Sequence, residues 1–209
     1  MAQEKSDKPV DERLDERPSD TGTPVDVQEQ RSNRVLMKAE KLIYGYRASH
    51  VQRWHCRGHM LRADYVGRHS HGVAVIIATL NEDPSAELLK AALYHDLGEF
   101  AVGGDLEHRP GRENRKLYAA IDKLEQEELW QHGYQTFLSN EDHAWLKAAD
   151  ALDAWMVIYE NIICGNSMLS GSYTRCTEKI TKECSSGNWP EIIGNAMLEM
   201  MPFHKWSED

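Results

Sequence analysis

Ala86-Glu87-Leu88-Leu89-Lys90-Ala91-Ala92-Leu93-Tyr94-His95-Asp96-Leu97-Gly98-Glu99 is the stretch on which the reading of this chain turns. Leu88, Leu89, Ala92 and Leu93 recur at helical spacing, and the helix runs directly into His95-Asp96 before Gly98, Gly103 and Gly104 mark a loop. Just upstream, Asp83 before Pro84 reads as a cap with proline at the first helical position. Neighbouring residues on a regular helix point about 100° apart, so His95 and Asp96 share one cation only where the helix is ending or where other donors close the far side.

Working outward, the pattern stays helical. Val73, Ile76, Ile77 and Leu80 form an apolar helix with His69 at its head, preceded by an Arg- and His-rich polar stretch from His50 to Arg68. Residues 114–133 and 141–164 read as two more helices, the second carrying Trp145, Leu146, Ala149, Leu152, Trp155 and Tyr159 along one side with Asp150 among them. A last helix is expected from Pro190 to Met201, and a first one through Val35, Leu36, Ala39, Leu42, Ile43 and Tyr46 behind an Asn33 cap. No alternating strand pattern of useful length and no fixed-period repeat occurs, so the fold class is all-α, a compact bundle of about six helices.

Composition sets the outer bounds. With 209 residues, 41% of them hydrophobic and 28% charged, the chain is long enough for a real core. It has no uncharged apolar run of about 18 residues that would span a membrane. A formal charge of −10 argues against a broad grip on nucleic acid polymers or anionic membranes. Residues 1–32 hold nine acids, five bases and three prolines with few large apolar side chains, the composition of a flexible charged tail, and the folded domain is placed at 33–209. Cys56, Cys164, Cys176 and Cys184 form no C-x-x-C, and Met1-Ala2-Gln3-Glu4-Lys5 has no apolar signal core, so the expectation is a cytoplasmic protein with reduced, incidental cysteines.

Ten histidines in so acidic a chain direct attention to metal chemistry, and position selects among them. His69, His95, Asp96 and Asp150 can together offer two imidazoles and two carboxylates, a mixed nitrogen and oxygen set suited to one divalent transition metal (Zn, Co, Mn or Fe) with room left for water and substrate; taken alone, His95-Asp96 reads as well as a capping acid beside a satisfied histidine. His71, two residues after His69, faces elsewhere on the helix and reads as structural.

Arg53-Trp54, Arg62-Ala63-Asp64-Tyr65-Val66-Gly67-Arg68-His69-Ser70, Tyr94 to Glu99, Gly104-Asp105-Leu106 and Lys147-Ala148-Ala149-Asp150-Ala151-Leu152 occur in the order and approximate spacing of HD-domain phosphohydrolases. The chain resembles most closely their bacterial 5′-deoxynucleotidase branch, over roughly 34–209. The resemblance implies a helical HD fold in which His69, His95, Asp96 and Asp150 bind the metal and Glu99 orients or deprotonates the attacking water. It also implies that Asp105 helps protonate the leaving ribose oxygen, that Arg53 meets the phosphate and that Trp54 lies beside the sugar or base. It further implies a homodimer or higher homo-oligomer.

Two departures bear on substrate. Arg68 stands where relatives commonly have an acid, and the loop after Gly104-Asp105 departs from their usual pattern, leaving cations at Arg68, Arg109, Arg112, Arg115 and Lys116 that suit either solvent or a longer phosphate chain. The activity that the resemblance implies is hydrolysis of a deoxynucleoside monophosphate to deoxynucleoside and phosphate. The alternatives are a dNTP (dATP) triphosphohydrolase, as in related phage enzymes, and a non-catalytic nucleotide-binding HD protein.

Overall fold

The structure, a computed structural model, describes residues 24–54, 60–104 and 115–201. Among them are seven helices of nine residues or more, one four-residue helix, a short 3-10 turn at Ser167–Leu169 and a pair of two-residue strands. In chain order these are α1 (Pro24–Ala48), β1 (Gln52–Arg53), β2 (Asp64–Tyr65), α2 (Val66–Leu80), α3 (Ala86–Tyr94), α4 (Glu99–Val102), α5 (Arg115–Gln131), α6 (Asn140–Ile163), α7 (Ser170–Ser185) and α8 (Glu191–Met200). The all-α reading holds. The chain divides into Met1–Lys38, of which the described part is the start of α1, and Ala39–Asp209, which carries all the rest.

The core lies where α2, α3, α6, α7 and α8 meet. Trp155, in the middle of α6, is fully buried and stacks on Tyr159 at 4.8 Å between ring centroids, while its indole N–H donates to Thr177 on α7 at 2.9 Å. Val73 and Ile77 of α2, Leu88 of α3, Leu152 of α6, Ile180 of α7 and Ile193 and Met197 of α8 close around it. A second, smaller cluster joins Tyr44 and Ala48 of α1 to Val66, Leu97, Leu129 and Tyr134. Glycine lets one junction close: a Cβ on Gly98 would lie 2.7–2.9 Å from atoms of Glu125, so the turn after α3 sits directly on α5.

Several boundaries differ from the sequence expectation for physical reasons. The cap of α3 is Ser85, whose Oγ accepts from the Leu88 N–H at 3.0 Å; Asp83 and Pro84 lie outside the helix, because a hydroxyl three residues before that N–H satisfies the first-turn donor and Asp83 cannot reach it. Helix α1 begins at Pro24 and runs through Asn33, which is therefore an interior residue and not a cap. Helix α7 has no counterpart in the sequence reading. Its buried side is the stripe Tyr173, Cys176, Ile180 and Cys184, spaced 3-4-4 on an otherwise Ser-, Thr- and Lys-rich segment. The eight-residue interval between Cys176 and Cys184 is thus about two helical turns of core packing. No helix among the described residues is long and apolar enough to cross a membrane.

Candidate active site

His69 lies in the first turn of α2, fully buried against α6. On α6, Asp150 and Asp153 are three residues apart and so share a face. They bracket the imidazole: Asp150 Oδ1 is 3.2 Å from His69 Nε2, and Asp153 Oδ2 is 2.7 Å from Nδ1. The third wall comes from the end of α3. That helix stops at Tyr94, and residues 95–98 continue as a tightened turn, Leu97 N–H to Tyr94 C=O at 3.0 Å and Glu99 N–H to Asp96 C=O at 3.1 Å. Because the helix ends there, His95 and Asp96 can turn to the same point. His95 Nε2 lies 3.2 Å from His69 Nε2, and the Asp96 carboxylate spans both rings, Oδ1 3.3 Å from His95 Nε2 and Oδ2 3.3 Å from His69 Nε2.

The protonation pattern follows from the partners. His95 Nδ1 is 3.0 Å from the Ala92 carbonyl and His69 Nδ1 faces the Asp153 carboxylate, both acceptor-only groups when the acid is ionised, so both Nδ1 atoms carry hydrogen. Each neutral ring then presents its Nε2 lone pair, and the two lone pairs face one another. Such an arrangement demands positive charge between the rings. Without a cation the demand falls on a proton: burial, the largest influence, opposes charge on His69, yet hydrogen bonds to Asp150, Asp153 and Asp96 outweigh it and raise its pKa well above 6.5. Burial likewise works to raise the pKa of Asp96 and Asp150, but the neighbouring imidazoles outweigh it: they lower Asp150, and together with Arg53 they hold Asp96 well below the ordinary carboxylate range.

The donor set fits a first-row divalent ion. Ligand atoms of His69, His95 and Asp150 lie within 4.8 Å of one another, and the contacts of 3.2–3.3 Å match the roughly 3.0–3.4 Å between neighbouring donors that each sit about 2.0–2.2 Å from one metal. Asp96 touches both imidazoles and completes the four residues expected from sequence.

A cavity of about 680 Å³ opens on this cluster, lined by His95, Asp96 and Asp150 together with Arg53, Glu99 and Lys147. Arg53 reaches it from β1, where Asp64 is its direct cross-strand partner. It is 9% exposed and forms ion pairs with Asp64 at 3.7 Å and Asp96 at 3.9 Å, yet its Nε and Nη1 make no hydrogen bond among the described residues. Buried guanidinium donors left in this state are suited to a bidentate anion. The strand pair that positions Arg53 is too short to leave an alternating pattern in the sequence.

Other expected residues are placed differently. Trp54 does not line the cavity; its ring lies 5.8 Å from the Arg53 guanidinium and its indole N–H donates to Asp64 at 3.3 Å. Its φ of 59° puts a bulky side chain in the left-handed region, a conformation that costs about 1–3 kcal/mol and that surrounding contacts must hold. Arg68, expected as a candidate phosphate cation, does not line the cavity and donates to Asp153 at 2.7 Å. Lys116 and His71 are exposed and outside the cavity. Asp105, Arg109 and Arg112 lie outside the described residues, as does the side chain of Arg115. Asp153 and Lys147 were not singled out from sequence, although a lone carboxylate on the apolar face of α6, one turn after Asp150, is a readable signal for the first.

With His-Asp donors, a cavity and a buried arginine in place, comparison with known families becomes decisive. The family model described as 5′-deoxynucleotidase YfbR-like matches residues 42–192. The chain belongs to this YfbR-like family. The matched span runs from within α1 to the first two residues of α8 and so contains every described wall of the YfbR-like site. No curated protein matches the chain significantly.

Proposed function

We propose that the protein is a metal-dependent 5′-deoxynucleotidase that hydrolyses deoxynucleoside monophosphates to deoxynucleoside and inorganic phosphate. The observation that carries this reading is the meeting of two imidazole Nε2 atoms, 3.2 Å apart, with Asp150 and Asp96 beside the underused guanidinium of Arg53, in a YfbR-like chain.

His69, His95, Asp96 and Asp150 would hold the divalent ion, which when bound makes water more acidic and offsets the negative charge of the phosphoryl oxygens. Arg53 pairs with the phosphate through its fork of donors, and burial keeps that pairing from being diluted by water. Glu99, on the cavity wall one turn beyond His95, takes the proton of the attacking water, a general-base role worth about 10²–10⁴ in rate. Asp105 supplies the proton to the departing 5′-oxygen. Trp54, held over Arg53, fixes the direction of that guanidinium and contributes to the approach to the sugar.

The cavity's fixed cations favour the monophosphate. Among the described residues Arg53 and Lys147 are the only Arg or Lys side chains lining it, against Asp96, Glu99, Asp122, Glu125 and Asp150. A triphosphate would bring several negative charges to walls of that sign. The test is to load the protein with Mn, Co or Zn and measure phosphate release from each dNMP and NMP, and triphosphate release from each dNTP. Phosphate from dNMPs is the expected result. Triphosphate release confined to dNTPs would replace the monophosphatase with its alternative, and no turnover in any metal-loaded sample would leave only a binding role.

A further inference from the structure

Behind His69, on the side away from the cavity, lies a second constellation that the reaction as described does not use. Asp153 is 2% exposed in the middle of α6. Its Oδ2 accepts from His69 Nδ1 at 2.7 Å and from Arg68 Nη1, also at 2.7 Å. Its Oδ1 lies against Gly72, one helical turn after His69: a Cβ built on Gly72 would sit 2.0 Å from Oδ1 and 3.0 Å from Cγ. Arg68 in turn lies 3.7 Å from Asp64, the cross-strand partner of Arg53.

We propose that Asp153, clamped by Arg68 and seated on the bare backbone of Gly72, is a positioning residue that fixes the tautomer and orientation of His69 for the cation. The inference rests on the metal reading of the site and goes one shell further out.

The chemistry is specific. An ionised carboxylate can only accept, so it selects the His69 tautomer with hydrogen on Nδ1 and leaves the Nε2 lone pair directed at the site. It also increases the electron density of the ring, which strengthens Nε2 as a ligand. Arg68 Nη1 donates to the same Oδ2 that faces His69 Nδ1, so the carboxylate is held from two directions and its orientation toward the ring is fixed. Gly72 leaves the space that the carboxylate occupies, since a Cβ there would overlap Asp153 Oδ1 and force the acid to shift. The sequence departure at Arg68 thereby acquires a reason: an acid at that position would confront Asp153, whereas an arginine completes it.

The experiment compares wild type, Asp153→Asn, Arg68→Gln and, as a control, Glu99→Gln. Each is checked for folding by circular dichroism, titrated with Zn²⁺ by competition against a chromophoric chelator, and its zinc-loaded form examined by NMR of ¹⁵N-labelled histidine. In the wild type the His69 Nδ1–H resonates far downfield, as expected for a proton shared with a carboxylate, and the His95 Nδ1–H, bonded to a carbonyl, serves as internal reference. Asp153→Asn should weaken zinc binding by about 10–100-fold and move the His69 Nδ1–H upfield while leaving that of His95 in place. Arg68→Gln, at a half-exposed position, should give the same changes at a smaller size, about 3–10-fold. Glu99→Gln should bind zinc as the wild type does. Native zinc affinity and an unmoved His69 resonance in folded Asp153→Asn or Arg68→Gln protein would overturn the inference while leaving the metal reading intact. A wild type that takes up no zinc would overturn both.

Discussion

The two imidazoles of the site are held in opposite ways. His69 is an interior residue, wedged between α2 and α6, with no solvent exposure and a carboxylate on each side of the ring. His95 stands on a turn at the end of α3, 15% exposed, with the Ala92 carbonyl behind it. On the proposed reading the difference is a division of labour: α2 and α6 hold one imidazole by core packing, while the turn from His95 to Glu99 would bring the reacting groups to it. The turn supplies three of the groups assigned to the reaction, His95, Asp96 and Glu99, because a helix terminus lets consecutive side chains converge where a continuous helix would spread them.

The largest effect should come from the chemical side. Glu99→Gln is expected to lower turnover of dNMPs by about 10²–10⁴ while the metal content, measured by mass spectrometry of the desalted protein, stays at the wild-type level. Normal turnover in that variant would remove Glu99 from the mechanism and weaken the division described above.

Next in size is a contrast in stability between the two histidines. His69→Gln leaves Asp153 without its ring partner inside the protein and should cost about 3–5 kcal/mol, measured by urea unfolding of metal-free protein. His95→Gln gives up the hydrogen bond to the Ala92 carbonyl and the Nε2 contacts with His69 and Asp96 at a less buried position, and should cost less, about 1–2 kcal/mol. Both should lose the metal. Equal costs would mean that the two supports are equivalent.

A smaller effect lies in pH. In metal-free protein the pKa of His69 is raised above its unfolded value of 6.5, so the folded state holds a proton that the unfolded chain has released between that value and the folded one. Stability from this group is therefore full below about pH 6.5 and declines as the pH rises through the folded pKa. The thermal midpoint of metal-free wild type should fall across that window, and the slope should flatten in His69→Gln.

Smallest is a chemical difference away from the site. Burial pushes the Cys176 thiol up to about 11, whereas Cys164 is exposed. At pH 8 roughly 0.1% of Cys176 is thiolate, so iodoacetamide should mark Cys164 well before Cys176 in peptide maps.

Much of this was legible in the sequence, for identifiable reasons. Helical periodicity located α2, α3, α5, α6 and α8 because each carries large aliphatic or aromatic residues on one face. Helix α7 escaped because two of its four inward positions are cysteines and its remaining surface is polar. The residues gathered at the site, His69, His95, Asp96, Asp150, Arg53 and Glu99, were readable from motif order. What spacing could not give was orientation. Arg68 read as a candidate phosphate cation because its charge was visible and its partner, 85 residues away, was not. Asp153 was hidden for the same reason, as its meaning depends on a helix packing that brings Gly72 and His69 against it. Asp83 lost the capping role to Ser85 through two residues of offset, a distance that capping preferences alone do not resolve.

The claim beneath all of this is that a cation belongs between the two Nε2 atoms. Anomalous diffraction from crystals grown with Mn²⁺ or Zn²⁺, collected on both sides of the metal's absorption edge, tests it directly. The expected result is a single strong peak about 2.0–2.2 Å from both His69 Nε2 and His95 Nε2, with Asp96 and Asp150 as the neighbouring oxygen donors. A map with no peak there, or with the metal held only at other residues, would contradict the account.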